Sequence, residues 1–281
     1  MSKLSFNILL PTDFSDLSLK AIRYGLKLNK KINGEITLFH ALHLPGIADN
    51  VKKKLEDILK KESLEELQIL EHKLKKEKAI SGEIKKGVEF GVPSKAISEY
   101  AKKNDIDLIV MGTKGAGKIS KALFGSNTAH LLEKANTTVC VVPENYELKE
   151  RFTLKHIVYA SDLEDIDNEI KLIAAFARIF DATVHVAHVL PETGKIIPIK
   201  PEKIIPDLQK KAKYEKITFY AATNNNFHEE IKNYAKKQKA DLIALYMHKR
   251  SFWESLFQSS HSKELSYYTD IPLMVLPKMK K

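Results

Sequence analysis

Leu108-Ile109-Val110-Met111-Gly112-Thr113-Lys114-Gly115 runs from a short apolar strand pattern straight into glycines, and after nine further residues comes Gly125-Ser126. A strand that ends in glycines brings its backbone close to something, because a residue without Cβ leaves its peptide N–H accessible. Ser126 falls near the start of a predicted helix over 123–135. Helix N-termini present unpaired N–H groups and partial positive charge. Strand, glycine loop and helix start together predict a phosphate cradle.

A P-loop is the competing motif, since Gly112–Lys118 reads G-T-K-G-A-G-K. Ile119 stands where that motif needs a hydroxyl for magnesium, and Ser120 comes one place late. The P-loop is therefore set aside.

The flanking sequence repeats itself. Phe6–Asp13 is echoed by Lys155–Asp162, and Ile36–Leu42 by Val184–Leu190. Asp107–Met111 is echoed by Asp241–Leu245, and Val139–Pro143 by Leu273–Pro277. Four matches in one order mean one fold written twice. In the first half strands are expected near 6–11, 35–42, 80–87, 107–112 and 138–142, with helices near 16–30, 50–78, 93–103 and 123–135. Ser15 or Asp16 suits the first helix cap, and Pro93 suits a first helical turn. Strands near 156–161, 183–190, 217–222, 241–247 and 272–277 repeat the plan. The prolines at 191, 198, 201 and 206 argue against a long helix between the second and third of these. Alternating strands and helices predict parallel sheets covered on both faces, with ligands outside the C-terminal strand ends. The domains are placed at 1–146 and 153–281, with a polar linker at 147–152.

Composition agrees with this plan. A length of 281 residues suits two domains of ~150 residues each, and 43% hydrophobic content supports two cores. No apolar run approaches the ~20 residues of a membrane span, and the N-terminus reads as the lead-in to a strand rather than a signal peptide. The single cysteine, Cys140, lies in a buried-strand pattern and fits a reducing cytoplasm. The net charge of +10 admits anionic partners, yet the dense lysine stretches are interleaved with glutamates, as on solvated helix faces. With no nucleic-acid motif in the chain, specific nucleic-acid binding is not expected.

In its spacing G-x2-G-x9-G-S the chain resembles the ATP-binding branch of the universal stress protein family. The resemblance covers both halves. It implies two five-stranded parallel sheets of the adenine nucleotide alpha hydrolase type, packed as a pseudo-dimer through Val139–Val142 and Leu273–Leu276. It implies a site in the first half, where Pro11, Thr12 and Asp13 meet the nucleoside and Ala41 meets adenine through its backbone. Met111 and Gly112 begin the pocket wall, and Gly115, Gly125, Ser126 and Asn127 hold the triphosphate. The implied cofactor is ATP, with or without magnesium, and the implied role is regulatory, in a cytoplasmic stress response. A protein partner and a two-chain, four-lobed assembly are compatible with it. Lys114 and Lys118 lie close enough in sequence to neutralise phosphate.

The second half departs from the pattern. Tyr246, Lys249 and Gln258 stand where Gly112, Gly115 and Gly125 stand. Side chains there occupy phosphate space, so this half is expected to be silent toward ATP and to serve as the structural partner. His248-Lys249-Arg250 keeps open a different, anionic ligand.

Other chemistry is weaker. His185 and His188 are three apart on a strand and point to opposite faces, so they do not share a metal. No ligand spacing supports zinc at His228, His248 or His261. Trp253 with Phe252, Leu256 and Phe257 reads as a core or interface face. His130, four residues after Ser126, is the best partner for an activated hydroxyl, but it reads more simply as a helix surface residue. Efficient catalysis is not expected. The alternatives to an ATP-binding regulator are a slow ATPase or self-phosphorylating phosphotransferase, and a scaffold for another ligand or protein.

Overall fold

The computed structural model describes residues 6–43, 49–80, 82–113, 125–134, 136–190, 200–246 and 270–277. The chain divides into two compact units, Met1–Glu144 and Asn145–Lys281.

Unit 1 runs β1 (Ile8–Thr12), α1 (Asp16–Ile32), β2 (Ile36–Leu42), α2 (Asp49–Lys76), β3 (Lys85–Phe90), α3 (Pro93–Lys103), β4 (Leu108–Gly112), α4 (Ser126–Lys134) and β5 (Thr138–Val142). Its strands are all parallel, in the order β3-β2-β1-β4-β5. The order reverses between β1 and β4, which is where such a sheet opens a crevice at its C-terminal edge. Right-handed crossovers put α1 and α2 on one face and α3 and α4 on the other. The Arg23–Glu77 ion pair at 2.6 Å ties α1 to the end of α2.

The core follows from the strand composition. Ile8, Leu9, Leu10, Leu38, Phe39, Ile109, Val110 and Val139–Val142 are all buried. Each fully buried aliphatic side chain contributes about 1.5–3 kcal/mol. Ala21, Ile22, Gly25, Leu28 and Ile32 make the inner stripe of α1 at helical spacing. Ser15 caps this helix by accepting from Ser18 N–H at 3.2 Å. Pro93 occupies the first turn of α3, as its fixed φ predicts.

Unit 2 runs β6 (His156–Ala160), α5 (Ile166–Phe180), β7 (Thr183–Leu190), α6 (Pro201–Ala212), β8 (Ile217–Thr223), α7 (Phe227–Lys237), β9 (Leu242–Tyr246) and β10 (Leu273–Leu276). Its strand order, β8-β7-β6-β9-β10, repeats that of unit 1.

Details of the repeat coincide at atomic level. Asp107 Oδ2 accepts from Asn7 N–H at 2.7 Å, and Asp241 Oδ2 accepts from Lys155 N–H at 2.7 Å. In each unit an aspartate just before the fourth strand anchors the start of the first. The α1 and α5 helices both end in a left-handed residue, Asn33 and Asp181, each at φ 56°.

One element differs from expectation. The third strand lies at Lys85–Phe90 instead of 80–87, because Gly82, at φ 103°, turns the chain first. Between β7 and β8 a twelve-residue helix forms despite Pro206 within it. Pro206 is exposed, so the carbonyl it leaves without an intrahelical donor can face water. This α6 remains far shorter than the 28-residue α2.

Candidate functional site

The site forms where β1 and β4 end side by side. Thr12 is the last residue of β1, and its register partner is His40 of β2. The β2 strand continues for two residues, Ala41 and Leu42, which pair only with Glu89 and Phe90 of β3. On its β1 side the Ala41 backbone therefore borders the crevice. That is the position expected to meet a base.

The turn after β1 is a network of short bonds. Thr12 Oγ1 accepts from Phe14 N–H at 2.9 Å. Asp13 Oδ1 accepts from Ser15 N–H at 3.1 Å and from Ser15 Oγ–H at 2.6 Å. Thr12 Oγ1 and Ser18 Oγ are 3.0 Å apart. These bonds orient the Asp13 carboxylate, which is half-buried at the edge of the sheet. Pro11 and Thr12 are buried beneath it.

Across the crevice, α4 is tied to the end of β4. Gly125 N–H donates to Thr113 O at 2.7 Å, and Thr128 Oγ1–H donates to Gly112 O at 3.1 Å. Ala129 N–H bonds to Gly125 O at 3.0 Å, which makes Gly125 the cap residue. The next three N–H groups, of Ser126, Asn127 and Thr128, have no acceptor within the helix by its geometry. Ser126 is exposed and Asn127 half-buried. An anion at this helix start is favoured by both the N–H groups and the helix dipole.

Met111 is buried at the end of β4. Gly112 has a packing reason of its own. A Cβ on it would lie 2.8 Å from Leu17 Cγ of α1, so this glycine lets α1 close on the strand end. Gly115, Lys114 and Lys118 lie outside the described residues. Thus Pro11, Thr12, Asp13, Ala41, Met111, Gly112, Gly125, Ser126 and Asn127 gather at one sheet edge. His130 is exposed on α4.

Sequence reasoning passed over three contributors. His40 Nδ1–H donates to Thr12 O at 2.8 Å. The Phe14 ring packs on the His40 imidazole with centroids 4.8 Å apart. Thr128 makes the strand–helix tie described above. The match of His40 to His188 between the repeats was the one available signal for the first.

Unit 2 keeps the turn and alters the crevice. Ser161 Oγ accepts from Leu163 N–H at 3.1 Å, and Asp162 Oδ1 accepts from Glu164 N–H at 3.0 Å. Tyr246, at the end of β9, is buried, and its ring meets Tyr159 edge-on at 6.4 Å. Seven residues after the turn aspartate, unit 1 has Lys20 and unit 2 has Glu169. Lys20 Nζ donates to Glu144 O. Glu169 is 1% exposed and accepts from the Tyr159 hydroxyl. Burial, and then the Glu169 charge, push the Tyr159 and Tyr246 hydroxyls well above the ordinary tyrosine range. Lys249 and Gln258 lie outside the described residues, as do His248, Arg250, Trp253 and its apolar neighbours.

The histidines have other roles. His185 Nδ1 is 2.8 Å from Thr218 Oγ1, and its Nε2 is 3.1 Å from His156 Nδ1. His188 Nδ1–H donates to Ser161 O at 2.9 Å. Among the described residues no group of three or more His, Cys, Asp or Glu is placed to hold a metal, and His261 lies outside them. Cys140 is fully buried, and burial pushes its thiol up to about 12, so it is an inert core residue. Among the described residues no helix is long and apolar enough to cross a membrane.

Comparison with known proteins gives the same twofold pattern. The model of the universal stress protein family matches residues 6–143 and again 153–277. Universal stress protein MJ0531 of Methanocaldococcus jannaschii is 32% identical over 143 residues, covering 48% of this chain and 80% of that protein. Universal stress protein MJ0577 of the same organism is 29% identical over 157 residues, covering 50% of this chain and 97% of that protein. The crystal structure of a universal stress protein from Archaeoglobus fulgidus is similar over 97% of this chain and 96% of that one. Its TM-score is 0.68 at 20% identity, a likeness of fold.

Proposed function

The chain belongs to the universal stress protein family and carries its domain twice, and we propose that unit 1 binds ATP as a regulatory ligand while unit 2 does not. The observation that carries this is the pair of bonds, Gly125 N–H to Thr113 O and Thr128 Oγ1–H to Gly112 O, which fix the start of α4 beside the end of β4. They hold the N–H groups of Ser126 and Asn127 at the crevice that Asp13 borders from the other side. One end of the crevice suits phosphate, and the other suits a nucleoside. Asp13 accepts from a ribose hydroxyl, and the Ala41 backbone meets the base edge. Gly115 completes the cradle in this reading.

Magnesium accompanies the triphosphate here as the nucleotide's own counter-ion. Regulation follows if ATP favours one of two states of a surface that a partner protein reads, which requires different affinities for the two. The same reading makes the chain a cytoplasmic stress-response protein that is able to pair with a second copy. In unit 2, the Tyr246 ring and the buried Glu169 support silence toward ATP.

The test is to denature the purified full chain, before and after soaking in Mg-ATP, and count released nucleotide by chromatography. About one adenine nucleotide per chain is expected. Two per chain would place a working site in unit 2 as well. None after soaking would overturn the reading, and ADP accumulating with time would replace it with slow hydrolysis.

A further inference from the structure

Phe14 is a bulky side chain in an uncommon backbone state. Its φ is 62°, in the left-handed region that favours glycine, and 38% of its surface is exposed. The turn itself belongs to the fold. In unit 2 Leu163 occupies the same place at φ 67°, with the same bond from its N–H to the hydroxyl two residues earlier. The aromatic ring does not belong to the fold, because unit 2 does without one.

The ring lies against the His40 imidazole, tilted by 40°. His40 is locked by its bond to Thr12 O, so Phe14 has a fixed backing. Phe14 directly follows Asp13, and His40 directly precedes Ala41. Asp13 and Ala41 are the two residues read above as meeting the nucleoside. The two rings therefore stand at the nucleoside end of the crevice, opposite the helix start that suits phosphate. With 38% of its surface exposed, Phe14 has area to give to a flat partner.

We propose that Phe14, backed by His40, is the stacking platform for the nucleobase and sets a preference for purine over pyrimidine nucleotides. The inference rests on the ATP reading of unit 1. Every base has a π-face, and the larger purine covers more of the ring. A role confined to covering His40 would leave nucleotide affinity unmoved when an aliphatic side chain covers it equally well.

The experiment titrates ATP, GTP and CTP into the full chain by calorimetry, for wild type, Phe14→Leu and Phe14→Trp. Phe14→Leu copies unit 2, so the turn tolerates it and thermal unfolding should stay cooperative. Expected is a loss of ATP affinity of roughly tenfold, with a smaller loss for CTP. Phe14→Trp should keep the affinity, and its indole emission should be quenched on ATP addition. Unchanged ATP affinity in Phe14→Leu, equal losses for purine and pyrimidine, or no quenching of the new indole would overturn the proposal. A wild-type chain that binds none of the three nucleotides would instead overturn the ATP reading, and the platform with it. Should Phe14→Leu fail to fold, the quenching of Phe14→Trp decides.

Discussion

His40 and His188, one in each unit, make the same hydrogen bond: Nδ1–H donates to the carbonyl of the residue before the turn aspartate, Thr12 O at 2.8 Å and Ser161 O at 2.9 Å. The bond gives the carbonyl at the end of the first strand in unit 1, and just past it in unit 2, a partner where the sheet opens. Because both units keep it, it serves the fold before it serves any ligand. His188→Ala should therefore lower stability by about 1–3 kcal/mol, since it leaves a buried carbonyl without its donor. Urea unfolding measures this. His40→Ala should cost a similar amount and also weaken ATP binding, while His188→Ala leaves ATP binding alone.

Asp13 and Asp162 separate the two crevices. Asp13→Ala should reduce released nucleotide from about one per chain toward none, with the fold kept. Asp162→Ala should leave the count unchanged. Chromatography after denaturation checks both, and a fall in the Asp162 variant would mean that the wrong unit was chosen.

Gly112 is a packing residue at the end of β4. Gly112→Ala drives a methyl to 2.8 Å from Leu17 Cγ, and overpacking of this kind costs about 1–3 kcal/mol. Adding Leu17→Ala should return part of that loss. A double variant no more stable than predicted by adding the two single losses would show that the clash is not the cause.

His185 makes unit 2 sensitive to acid. Burial, reinforced by the neighbouring His156, lowers the His185 pKa from 6.5 to about 4. The folded state thus refuses a proton that the unfolded chain accepts. Its contribution is fully present above pH 6.5 and is lost as pH falls toward about 4. The loss is about 3 kcal/mol at most. Unfolding midpoints measured across this window should drop for wild type and drop less for His185→Phe.

The alternation of strands and helices was legible because each core strand is a short run of β-branched and aliphatic residues with turn chemistry at its ends. Val139–Val142 and Leu108–Met111 are examples. The edge strand β3 was not placed correctly, since it opens Lys85-Lys86-Gly87 and its strand character comes from pairing with β2. Gly87 also weakens the local signal, yet a Cβ there would lie 2.8 Å from the Tyr100 ring of α3. That constraint exists only after folding. That Asp13, Gly112, Gly125 and Ser126 lie at the strand ends was legible from spacing, while Gly115 lies outside the described residues. The Phe14–His40 contact was not legible, because a left-handed φ at a phenylalanine leaves no mark on the sequence. Helix α6 is short, as the prolines suggest, and it forms around Pro206 because its solvent side can absorb the lost bond.

The Tyr246 ring, standing where unit 1 has Gly112, bears on how the chain would report concentration. A homodimer of single domains offers two equal sites, which can talk to each other and sharpen a dose response. A chain with one competent crevice saturates along a plain hyperbola, half-filled at its dissociation constant and spread over about two decades of ATP around it. Such a receptor grades a signal instead of switching on it. Any steepness seen in solution would then have to arise between chains.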